Sequence, residues 1–145
     1  MTLTACDLGQ PRNFTARTEK YCAAATRTIA TDIPVTDPVA FAIDRFTAVD
    51  RVLATVSTDR GFPGGANGAT LHADWIVPAR ASLKAARPSL DTLRQVAGTP
   101  TAQRTRLFAV AARAGDGGVR ISVLRRLELP QCATLFDQPV PRLVS

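Results

Sequence analysis

Asp37-Pro38 followed by an apolar stripe of helical period is the feature that most restricts what this chain can fold into. Asp37 can cap a helix with its carboxylate, and Pro38 suits the first helical position, where its missing N–H would be unpaired anyway. At 100° per residue, Phe41, Ala42, Phe46, Ala48, Val49, Val52, Leu53 and Val56 share an arc of about 160°. Asp44, Thr47, Asp50, Arg51 and Thr55 fall opposite. A core must therefore form along one side of this segment. Arg45 lies inside the apolar arc, which leaves two readings: it snorkels outward, or it is a buried guanidinium awaiting an anion. The β-branched end, Val52 to Thr58, is also compatible with a strand.

The rest of the chain is punctuated by glycine and proline. Residues 1–20 are polar and read as an irregular, flexible tether, and 21–145 as a single domain with an extended C-terminal tail. Tyr21 to Ala30 is ambiguous, and Thr31-Asp32-Ile33-Pro34 reads as a turn. Gly61-Phe62-Pro63-Gly64-Gly65-Ala66-Asn67-Gly68 is the clearest loop. Thr70 to Val77 partly alternates and is stopped by Pro78. Residues 79–86 look helical, and Ser89 starts a short helix that Gly98 closes. Arg106–Ala114, the turn Gly115-Asp116-Gly117-Gly118, and Val119–Leu129 read as a β-hairpin, with Val119, Ile121, Val123, Leu127 and Leu129 on one face. A rival for the first strand is a helix capped near Thr99-Pro100 and running through Leu107, Val110 and Ala111. From Pro130 the chain reads as extended. The fold expected is α+β, an antiparallel sheet packed by the helix from Pro38 and by shorter helices; the runner-up is a mostly helical bundle.

The 145 residues, 46% of them hydrophobic, suffice for a core without a metal or a disulfide. No apolar run approaches the roughly 20 residues of a membrane helix; peripheral or lipid-anchored attachment is compatible with that. The net charge is +6, concentrated in the C-terminal two thirds. That admits an anionic partner, although heavy arginine and alanine use also reflects GC-rich coding. Arg104, Arg106, Arg113, Arg120, Arg125 and Arg126 fall on or beside the expected hairpin. Of these, Arg106, Arg113, Arg120 and Arg126 could form a positive stripe for phosphates or a protein partner. Phe108 alone lies near them, and the aromatic pattern of an RNA-recognition motif is absent.

The chemistry-bearing residues are few. His72, the single histidine, and Asp74 would share one face of a strand, the arrangement an imidazole and its orienting carboxylate need. Neither Cys22 nor Cys132 sits in a nucleophile motif. No ligand spacing suggests zinc, the glycine loop lacks the lysine of a P-loop, and nothing calls for a cofactor. A glycosylation triplet, Asn13-Phe14-Thr15, carries meaning only in a secreted eukaryotic protein. The expected function is non-catalytic; an enzyme using His72 is the weakest alternative.

The cysteines carry the remaining clue. Cys6, Cys22 and Cys132 are an odd number. Cys22 and Cys132 could pair in an oxidising compartment or stay as buried thiols. Leu3-Thr4-Ala5-Cys6 resembles the lipobox of bacterial lipoproteins, although no basic and apolar leader precedes it here. The resemblance implies lipidation at Cys6, a polar tether after it, and an inner-membrane retention signal in Asp7. With Cys6 so used, the other two cysteines make an even pair. These features point to a periplasmic or cell-envelope binding or assembly module acting through protein–protein contacts, with another protein or with copies of itself. The alternative is an arginine-rich cytoplasmic or virion protein that binds nucleic acid.

Overall fold

The computed structural model describes residues 11–29, 35–96 and 101–143, and these run through seven α-helices. They are α1 (Pro11–Thr28), α2 (Pro38–Ser57), α3 (Gly65–Leu71), α4 (Val77–Val96), α5 (Ala102–Ala111), α6 (Ile121–Arg126) and α7 (Pro130–Leu135). A π-helical turn, His72–Ile76, joins α3 to α4. The α+β expectation is overturned: among the described residues there is no sheet, and the one β-type pairing is an isolated bridge between Val35 and Leu143. The helical runner-up is the architecture found.

Helix α2 forms where its cap and period place it. Asp37 Oδ1 accepts the Ala40 N–H at 2.9 Å, and Pro38 opens the helix. Its buried face is Phe41, Ala42, Arg45, Ala48, Val49, Val52, Leu53 and Val56, with Phe46 half-buried. Residues 52–57 continue the helix, so the strand alternative fails. The helix packs against α1, α4 and α5, which makes it the centre of the bundle.

Helix α1 covers residues 11–20, which the sequence reads as irregular. Phe14, Thr18, Cys22, Ala25 and Ile29 are buried at spacings of four, four, three and four, one face of a helix. That face packs on α2 and on α7.

The segment read as an alternating strand, residues 70–77, is helical in spite of Pro78. A proline in a helix lacks the donor for the carbonyl four residues back and clashes with it. The chain widens into a π turn here: Val77 N–H reaches the His72 carbonyl. The Asp74 carbonyl, which Pro78 cannot serve, accepts the Arg120 N–H at 2.9 Å. Pro78 thus does not stop the element; Trp75, Ile76, Ala79, Leu83, Ala86, Leu90 and Leu93 form one continuous buried face. The two short helices expected over 79–97 are a single α4.

The expected hairpin is two helices and a turn. Thr101, not Thr99, caps α5, its hydroxyl accepting the Arg104 N–H at 3.1 Å. Phe108, Ala111 and Ala112 then face the core. Residues 112–118 form successive turns that bring Gly115 (φ +96°) against α2, where a Cβ would lie 2.5 Å from Val49 Cγ1. Val123 and Leu124 are buried and Leu127 half-buried, a helical spacing. After Pro130 the chain forms α7 before running extended to Leu143, so the extended tail is shorter than expected.

Candidate functional site

Two constraints tie the end of the chain to its beginning and centre. The first joins α1 to α7. Cys22 and Cys132 are bonded, with Cα atoms 4.9 Å apart and both residues fully buried. One turn away, Glu19 caps α7 from another helix: its two oxygens accept the N–H groups of Gln131 (2.9 Å) and Cys132 (3.0 Å). These are orphan donors of a helix start, and a carboxylate there also suits the positive end of the helix.

The second constraint is centred on Arg45. Its guanidinium is 1% exposed and bonds directly to the Asp116 carboxylate, itself 3% exposed. It also donates to the carbonyls of Ala114 (3.3 Å) and Leu135 (2.5 Å) and to Gln138 Oε1 (3.4 Å). One side chain of α2 thereby holds the turn after α5 and the end of α7. Of the two readings of Arg45, the buried one holds, and the anion is internal. Asp116 Oδ2 accepts no hydrogen bond among the described residues and sits 3.8 Å from Arg113 Nε. Burial pushes the Asp116 carboxyl up to about 7, against the opposing pull of Arg45 and Arg113.

The other expected site residues are dispersed. His72 and Asp74 lie in the π turn, His72 exposed, and a separation of two residues on a helical path does not align them. The shared strand face that would have made them partners does not exist. Arg106 is exposed on α5, Arg113 in the turn, Arg120 before α6 and Arg126 at its end. No pair of facing strands gathers them into a stripe. Cys6 and Asp7 lie outside the described residues, as does the rest of the lipobox-like segment.

The glycine-rich loop has a structural role. Arg17 bonds Asp59 through two nitrogens at 3.0 and 2.6 Å, and Asp59 accepts the Gly61 N–H at 2.7 Å. The Arg17 hydrogen bond holds the Asp59 carboxyl below its ordinary value. Gly65 and Gly68 lie within α3, and Gly68 admits the Pro63 carbonyl, which a Cβ would meet at 1.9 Å.

Between α1 and α2 runs an open trough of about 190 Å³, lined by Tyr21, Ala24, Ala25, Ala48, Val52 and the rim residue Arg51, among others. Among the described residues no group of three or more histidine, cysteine or carboxylate side chains is arranged around a metal position. No described helix is long and apolar enough to cross a membrane.

Sequence reasoning missed Glu19 and Asp116. Glu19 carries no local signal, because its partner helix lies more than 100 residues away. Asp116 had one: a carboxylate in a glycine turn is ordinary, but an arginine inside an apolar arc demands a buried acceptor. Comparison with protein-family models, with curated proteins and with solved structures finds no match.

Proposed function

We propose that this chain is a non-catalytic module of the cell envelope that works by binding or assembling with other proteins. The observation that carries the reading is the buried Cys22–Cys132 bond between α1 and α7. Structural disulfides persist in oxidising compartments and are rare in the cytosol. The pairing leaves Cys6 as the odd cysteine, in the Leu3-Thr4-Ala5-Cys6 segment that resembles a lipobox. The separation of His72 from Asp74 removes the catalytic pairing that the sequence offered.

Fractionation of the native host tests this. The protein is expected in the envelope fraction, anchored there through Cys6, with Cys6→Ala shifting it to the soluble envelope contents. Recovery of the wild-type chain from the cytosol would overturn the reading.

A further inference from the structure

The outer face of α4 carries four cations against one acid, Asp91, which pairs with Arg87 within the row. Arg80, Lys84, Arg87 and Arg94 are all exposed. At 100° per residue they fall within an arc of about 80°, over about 21 Å of helix. Asp91 is the single carboxylate of α4, and it lies 4.0 Å from Arg87. Lys84 and Arg94 make no ion pair among the described residues. Two members are held in place: Arg80 donates to Ser57 Oγ at 2.8 Å, and the Arg87 guanidinium stacks 5.2 Å above the Phe46 ring. The row therefore lies along the α2–α4 seam as a partly ordered strip.

The chemistry beside the row narrows the partner. Its outer flank is Val77 (51% exposed), Ala81, Ala85 and Pro88, with no acid among them. The aromatic ring next to the row, Phe46, is covered by Arg87 and is not free to stack on a base. A cationic strip bordered by small aliphatic groups complements a planar anionic surface with an apolar layer beneath it.

We propose that the Arg80–Lys84–Arg87–Arg94 face of α4 docks on the anionic headgroups of a lipid bilayer. The contact is peripheral, goes beyond the envelope reading, and can be measured on purified protein whatever its compartment.

Co-sedimentation of the full oxidised chain with vesicles tests it, using phosphatidylcholine alone and phosphatidylcholine doped with phosphatidylglycerol. Partition is expected only onto the doped vesicles and should weaken as salt rises. Each cation near the surface contributes about fivefold in partition, so Arg80→Gln/Lys84→Gln/Arg94→Gln should lose about a hundredfold. Arg106→Gln/Arg120→Gln/Arg126→Gln removes the same charge elsewhere and should retain most of the binding. All six side chains are exposed, and circular dichroism verifies that both variants are folded. Equal losses in the two variants would reduce the effect to net charge and overturn the proposal. So would no partition of the wild type onto anionic vesicles. Preferential α4-dependent binding of a single-stranded oligonucleotide over vesicles would reassign the face to nucleic acid.

Discussion

Replacing Arg45 by methionine isolates what the buried pair does for this fold. The substitution keeps the length and much of the volume of the side chain while removing the charge and every donor. Asp116 would then be a buried carboxylate without its counter-charge, and the carbonyls of Ala114 and Leu135 would lose a charged donor. Breaking a buried ion pair by deleting one partner costs about 3–5 kcal/mol. For a chain of this size that lowers the melting temperature by roughly 6–20 °C.

The loss should depend on pH, with a determinate sign. The Asp116 carboxyl is raised by burial to about 7, above its unfolded value of 3.8. The folded chain thus holds this proton more tightly than the unfolded chain. Its contribution to stability is full below 3.8 and declines as pH rises through about 7. Without Arg45 the folded value rises further, so the decline continues to higher pH. The difference between wild type and Arg45→Met should be larger at about pH 8 than at about pH 5. Urea denaturation of the oxidised proteins at both values measures it. In Arg45→Met/Asp116→Leu the buried charges vanish together, and much of the stability should return. A loss under about 1 kcal/mol for Arg45→Met, or one that shrinks with rising pH, would refute the reasoning.

Three further outcomes follow from particular contacts. The Cys22–Cys132 bond spans a sequence separation of 110, so Cys22→Ser/Cys132→Ser should lose about 4–5 kcal/mol in the chain-entropy model, as read by urea denaturation. Asp59 is held below its ordinary value chiefly by the Arg17 hydrogen bond; its contribution is present above 3.8 and lost as pH falls through the lowered folded value, and Arg17→Gln should flatten that acid limb of a melting-temperature profile. Glu128 adopts φ +64° where α6 ends, a conformation that favours glycine, so Glu128→Gly should stabilise by about 0.5–1 kcal/mol in thermal melts.

How much of this was legible depended on element length. Over the twenty residues of α2, a period of 3.6 separates cleanly from a period of two, and the cap and proline mark its start. Over the six residues of α6 the two periods coincide on too few positions: Val119, Ile121 and Val123 alternate as a strand would, while Val123, Leu124 and Leu127 repeat as a helix does. Gly115-Asp116-Gly117-Gly118 resembles a hairpin turn, yet its glycines serve a multi-turn connection pressed against Val49. At residues 70–77 the misleading signal was Pro78, whose cost the π turn absorbs by handing the Asp74 carbonyl to Arg120. The site was half legible. Arg45 stood out as an anomaly in an apolar arc and the two cysteines as a parity argument, whereas Asp116 and Glu19 gain their roles from contacts 71 and more than 100 residues away.

Peptide mapping of unreduced protein, alkylated on isolation from its native compartment, tests the account's centre most directly. The expected result is one linked peptide pair containing Cys22 and Cys132, with Cys6 in neither partner. Cys22 and Cys132 both recovered as alkylated thiols, or either one bonded to Cys6, would contradict a stapled α1–α7 pair and the envelope role built on it.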